Sequence, residues 1–220
     1  MSSVVCIFPK DDSTDFLIPI YESLENISDF KGFRIDTTNE SEQSELFSFL
    51  SNYRDEKSLV FFLGHGASNC LYGSPDNNLK VRLFDKDNIN ILSNHPIICL
   101  ACTSIDFLKG KHLNYIGFGD IPSDFSEVEA IRNYEDSQFL NWAEENDIVT
   151  FRESIVDAFV QTIKMTHCDK LSNFYLFLKL FINKKIATLL MERDTSHYRE
   201  IADMLYAFAD EMELTLTTSD

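Results

Sequence analysis

Ser58-Leu59-Val60-Phe61-Phe62-Leu63-Gly64-His65-Gly66 is an apolar run that stops on a histidine between two glycines. A strand with one wet face alternates apolar and polar residues. A run without alternation is buried on both faces, the pattern of a parallel strand covered by helices on each side. Pro96-Ile97-Ile98-Cys99-Leu100-Ala101-Cys102 repeats the pattern and stops on a cysteine. Two such runs define the interior of a parallel sheet, and each delivers a reactive side chain at its end.

Outward from these runs, strands and helices alternate. Val4-Val5-Cys6-Ile7-Phe8 predicts a buried strand ended by Pro9. Apolar residues at Phe16, Ile20, Leu24 and Ile27 predict a helix over 15–27, with Pro19 tolerable only in its first turn. Gly32 is read as the break before a brief strand over 33–37. A second helix is expected over 41–53, with Leu46, Phe47, Phe49, Leu50 and Tyr53 inward and starting polarity from Ser41, Ser44 and Glu45. Residues 79–84 suggest a hairpin arm, 85–92 a helical turn or two, and 114–118 a third buried strand.

After Asp120 the pattern becomes helical, over 125–142, 151–165, 171–190 and 198–212, with a late strand at 214–217. The expected fold is therefore α/β, a three-layer sandwich with a mostly parallel sheet, helices on both faces and a helical C-terminal half. The 220 residues suffice for one domain spanning 1–220. Within it, residues 1–120 form the α/β core and 121–220 a mainly helical cover or subdomain.

The formal net charge of −17 disfavours direct binding of nucleic acid or of an anionic membrane surface, and serves solubility first. Residues 1–6 show no basic n-region or cleavage site, so no secretory signal is expected. The apolar run 174–182 is interrupted by Lys179 and too short for a membrane span. With an odd count of five cysteines, these features predict a cytoplasmic protein with reduced thiols.

In an open parallel sheet, functional groups gather beyond the C-terminal strand ends. His65 and Cys102 both occupy such ends. A cysteine needs an adjacent base to become a nucleophile, and an imidazole supplies one. Gly66, beside the histidine, allows close backbone approach and leaves an N–H for a developing oxyanion.

The two stretches resemble the histidine and cysteine strands of the caspase, gingipain and separase superfamily of cysteine peptidases. Tyr115-Ile116-Gly117-Phe118-Gly119-Asp120-Ile121-Pro122-Ser123-Asp124 is similar to the segment after the cysteine in CHAT domains, the bacterial caspase-like branch. The resemblance covers about residues 1–125, and loosely the helices to 165. It implies a Cys102–His65 dyad, an oxyanion site from the Gly66 and Cys102 N–H groups, and no metal or organic cofactor. The sequence departs from the family in three ways. The Gln-Ala-Cys-Arg-Gly signature is absent, and no acidic residue directly precedes Cys102. The 37 residues from His65 to Cys102 fall short of the ≈50 of caspases, which favours the CHAT comparison.

Asp120 and Asp124 are candidates to line a pocket for a basic side chain, against simple capping of a helix near Phe125. Between Asp120 and Asp147 nine acidic residues stand against one basic residue, Arg132, either a solvated face or a docking surface for a basic partner. Cys6 and Cys99 read as small core residues. His95, His112, His167 and His197 read as surface or loop residues, with His112 a candidate neighbour of the site. Three functions stay open. The first is an endopeptidase acting on a protein substrate, by analogy an effector of a bacterial defence system under a regulatory or sensor partner. The second is a binding or scaffold domain with an unused dyad. The third is a redox or metal protein through Cys99 and Cys102, with zinc held also by Cys70 and a histidine.

Overall fold

A computed structural model describes residues 3–53, 58–77 and 79–217. In chain order, β1 (Val4–Pro9) leads through a 3-10 segment, Asp12–Leu17, into α1 (Ile18–Glu25), and β2 (Phe30–Ile35) and α2 (Glu40–Asn52) follow. After β3 (Leu59–Leu63) come three short strands, β4 (Gly66–Ala67), β5 (Cys70–Tyr72) and β6 (Arg82–Asp85), and a 3-10 turn at Ile89–Leu92. β7 (Ile97–Leu100), α3 (Ser104–Leu108) and β8 (Tyr115–Gly117) complete the α/β half. The rest is α4 (Phe125–Tyr134), α5 (Glu145–Thr166), α6 (Leu171–Glu192), α7 (Tyr198–Glu211) and a last strand, β9 (Glu213–Thr215).

The two deciding runs lie side by side. The main sheet has the order β2-β1-β3-β7-β8-β9, with every pairing parallel except that of the edge strand β9 with β8. Both faces are covered, which is why β3 and β7 carry no alternation. Phe61 meets Phe174 of α6 edge-on at 5.5 Å on one face, and Phe62 meets Phe84 of β6 at 6.2 Å on the other. The first face packs α1, α5, α6 and α7 with Phe8, Leu63, Leu100 and Phe118. The second packs α2 and α3 with Val60, Cys99 and Ala101. The helical second half thus shares the core of the sheet. Residues such as Phe61 and Phe159 are fully buried, and truncating either to alanine is expected to cost about 3–5 kcal/mol.

Several local readings need correction. The first helix begins at Ile18, after the 3-10 turn, and Pro19 does occupy its first turn. Gly32 is a residue within β2, paired with Cys6, because Tyr21 of α1 lies where a side chain would stand. The cap of α2 is Asn39, which accepts from the Ser41 and Glu42 N–H groups. The helix expected over 125–142 ends at Tyr134. Beyond it Arg132 donates to the carbonyls of Phe139, at 3.1 Å, and Ala143, at 3.0 Å, and fastens the following turns. The next helix starts six residues early, at Glu145, through a reciprocal cap between Glu144 and Asp147.

Two histidines are also placed differently. His95 is buried, 5.4 Å from the Tyr53 ring. His112 sits in the turn before β8, at the opposite end of the sheet from Cys102, so it is no neighbour of the site.

Candidate active site

The strand register brings the two reactive residues together. Leu63 of β3 pairs with Leu100 of β7, so His65 and Cys102 each lie two residues beyond one matched pair, at the C-terminal edge of adjacent parallel strands. The Gly64 N–H still donates to the Leu100 carbonyl at 3.2 Å, which holds the two ends in step. Gly66 then packs against the turn at Cys102. A Cβ on Gly66 would lie 2.6 Å from the Cys102 carbonyl oxygen and 3.0 Å from Ala101 Cβ, so glycine is required by close approach. His65 and Cys102 line one small cavity with Thr14, Phe16 and Ile121. Its volume of about 20 Å³ suits roughly one water.

Cys102 sits on a sharp strand-to-helix turn. Thr103 adopts left-handed backbone, φ 51°, before α3. A β-branched residue there is strained, and such strain concentrates at functional sites. The turn is held by the Thr103 N–H donating to the Gly119 carbonyl at 2.8 Å and by the Ser104 hydroxyl donating to the Cys99 carbonyl at 2.8 Å. The Cys102 N–H donates to no acceptor among the described residues. Gly66 forms a non-hydrogen-bonded pair with Leu71, since the neighbouring bond runs from the Tyr72 N–H to the His65 carbonyl. The Gly66 N–H therefore points away from that ladder. Among the described residues, the Cys102 N–H has no acceptor and the Gly66 N–H takes no part in the β4–β5 ladder.

The segment that follows β1, the other neighbour of β3, supplies groups that sequence reasoning missed. Ser13 Oγ lies 2.7 Å from His65 Nε2 and 2.6 Å from Asp11 Oδ1, and Asp11 Oδ2 lies 3.5 Å from the same histidine nitrogen. A carboxylate only accepts, so the Ser13 hydroxyl proton points to Asp11. Its lone pair then receives an Nε2–H, which leaves Nδ1 as the basic nitrogen of a neutral His65. The side chains of His65 and Asp11 are 15% and 16% exposed, so solvent screens this contact weakly. The one available signal was position, since Asp11 lies just past the end of a buried strand that pairs with the histidine strand.

Electrostatics keep the resting pair neutral. Burial lowers the pKa of His65, and the positive charge of Lys80 adds to this, against Asp11 and Asp124. Burial pushes the Cys102 thiol up to about 11, with the nearby Glu127 and Asp120 acting in the same direction. The thiol donates to the Ile121 carbonyl at 3.3 Å.

The remaining candidates separate clearly. Asp124 caps α4 by accepting from the Ser126 N–H at 2.7 Å, and also lines a depression with His65 and Lys80. Asp120 lines a cleft on the other side of Cys102. Cys99 and Cys102 face opposite sides of the sheet, Cys99 in one core and Cys102 against the other, so they form no thiol pair. All five cysteines are free. Among the described residues, no helix is long and apolar enough to cross a membrane. No protein-family model matches the chain, and no curated protein matches it in sequence.

Proposed function

We propose that this chain is a cysteine endopeptidase of the caspase-like kind, with Cys102 as nucleophile and His65 as its base. The observation that carries the reading is the register: two residues beyond the Leu63–Leu100 pair, His65 and Cys102 meet over one cavity, with Gly66 against the Cys102 turn. Cys102 Sγ attacks the scissile carbonyl carbon as its proton passes to His65 Nδ1. The oxyanion is received by the Gly66 and Cys102 N–H groups. Collapse breaks the C–N bond, and the Nδ1 proton goes to the leaving amine. Water, deprotonated by Nδ1, then cleaves the thioester and restores the thiol. Asp11 and Ser13 act as positioning residues that fix the tautomer.

The neutral thiol, its bond to the Ile121 carbonyl and the small cavity describe a resting state that opens when substrate or a regulatory protein partner engages. Such control suits a cytoplasmic effector protease, by analogy one of a bacterial defence system. The same neutral, carbonyl-bonded thiol favours a second reading, a binding domain whose dyad is unused. Incubation with a proteome-derived peptide mixture, with cut sites mapped by mass spectrometry, separates the two. Cuts made by the wild type and absent with Cys102→Ala support the peptidase, and an identical pattern from both proteins refutes it.

A further inference from the structure

α6 is apolar on two opposite faces. Phe174, Leu178 and Ile182 recur every fourth residue and are fully buried, with Phe174 against Phe61 of β3 and Phe159 of α5. On the other side Asn173, Leu176, Leu180, Asn183, Ala187 and Leu190 are all exposed, at alternating spacings of three and four residues. That is the a/d spacing of a heptad seam, sustained over most of a 22-residue helix. Leu176 is 63% exposed and Leu180 57%, and Met191, beside the end of the seam, is 81% exposed. A helix apolar on all sides is ordinarily buried on all sides, yet among the described residues only one face of α6 is covered. Contiguous exposed apolar surface of this kind marks an interaction site.

The edges of the seam are basic. From Leu171 to Met191 the helix holds three lysines and no acidic residue, in a chain of formal charge −17. Helical spacing puts Lys179 on one edge, at a g position, and Lys184 on the other, at an e position. Lys185 is paired with Asp157 of α5. Among the described residues neither Lys179 nor Lys184 pairs with a carboxylate. Lys179 lies over the Tyr175 ring, 4.8 Å from its centroid.

We propose that this face of α6 is the docking site for an amphipathic helix of a partner protein, one whose apolar stripe is edged by glutamate or aspartate. The two edges decide the occupant. A second copy of this chain, packed parallel through the same face, would set Lys179 against the copy's Lys184. Antiparallel packing would set each lysine edge against itself. An anionic lipid surface would meet a net charge of −17. An acidic-edged helix instead meets apolar residues at the seam and places a carboxylate beside each lysine. Exposed charges farther than about 8 Å are screened at physiological ionic strength, so the local lysines govern this contact rather than the acidic surface elsewhere. The inference is independent of the peptidase reading.

The test uses two fluorescein-labelled three-heptad peptides with leucine at every a and d position. One carries glutamate at every e and g position and the other lysine, which also keeps each peptide from pairing with itself. Binding is read by fluorescence anisotropy on the full chain. The wild type is compared with Leu176→Ser/Leu180→Ser, at exposed positions, and with Lys179→Glu/Lys184→Glu. Lys184→Glu alone, also at an exposed position, reads the charge effect should the double change disturb folding. In parallel, the wild type and the serine variant are sedimented at several concentrations and floated with phosphatidylcholine/phosphatidylglycerol vesicles.

The wild type should bind the glutamate peptide at least about tenfold more tightly than the lysine peptide, and the serine variant should lose at least about tenfold in affinity for the glutamate peptide. Lys179→Glu/Lys184→Glu should invert the preference, and Lys184→Glu alone should weaken it. Equal binding of the two peptides, or a preference that the lysine variants leave unchanged, overturns the acidic-edged helix as occupant. No binding of the glutamate peptide overturns the docking site. A dimer that the serine variant abolishes assigns the face to a second copy, and flotation that it abolishes assigns the face to lipid. Either result overturns the proposal.

Discussion

Alkylation of the resting protein by iodoacetamide should report a neutral Cys102. Cys6, Cys70 and Cys99 are fully buried and Cys168 is 1% exposed, so Cys102 is the one thiol a small reagent reaches. Only the thiolate reacts. With its pKa raised to about 11, the thiolate fraction at pH 7.5 is roughly 3 in 10,000, against about 1 in 11 for an ordinary cysteine of pKa ≈ 8.5. The more basic thiolate is the better nucleophile, which recovers about tenfold of that roughly 300-fold deficit. Cys102 should therefore alkylate about thirtyfold more slowly than a free cysteine at pH 7.5, and its rate should climb close to tenfold per pH unit from pH 6 to 10. His65→Ala should change this resting rate by less than about threefold, since a neutral imidazole does not stabilise a thiolate. Mass spectrometry of the Cys102 peptide over a pH series gives the profile. A plateau with a midpoint below pH 8, lost in His65→Ala, would show a preformed thiolate–imidazolium pair and refute the neutral resting state.

Other substitutions probe the supports of the site. Gly66→Ala drives a methyl group into the Cys102 carbonyl and should destabilise the fold by about 1–3 kcal/mol in urea denaturation, with activity lost beyond what that explains. Asp11→Asn removes the carboxylate that orients Ser13 and His65. It should lower activity at least about tenfold with little change in KM, and shift the acidic limb of the pH–rate profile to lower pH, because the Asp11 charge raises the His65 pKa. Away from the site, the His197 Nδ1 lies 2.7 Å from Asp147 Oδ2, and this hydrogen bond raises the His197 pKa. The stabilisation is fully present below the unfolded pKa near 6.5 and is lost as pH rises through the higher folded value. Thermal denaturation at pH 6 and 8 should show a fall that His197→Ala removes, and an unchanged pH dependence in that variant would refute the assignment.

The sheet and its long helices were legible because burial on two faces leaves a run such as 59–63 without alternation, and 3.6-residue spacing marks the helices. The small sheet of β4, β5 and β6 was only partly legible, since strands of two to four residues carry too few positions to show a period. Gly32 reads as a break in sequence and lies in a strand because its partner is a tyrosine of the packed helix, a tertiary reason. His65 and Cys102 were legible as strand ends. Asp11 and Ser13 were not, because their part depends on β1 lying beside β3, which register and sheet order supply. Asp120 was recognised as a candidate lining residue. Glu127, Glu135 and Asp136 gave only an acidic count, and their convergence on one cleft comes from α4 ending at Tyr134 and the chain turning back.

The central claim is that Cys102 and His65 act as one unit, and the most direct measurement is kcat/KM for a peptide carrying a mapped cut site. It is taken for the wild type, Cys102→Ala, His65→Ala and the double variant, each first shown to fold by its denaturation curve. Members of one catalytic unit are non-additive. Each single change should therefore lower kcat/KM by at least about 10³, and the double variant should be no slower than the slower single variant. Losses that multiply in the double variant, or cleavage that survives in Cys102→Ala, would contradict the dyad.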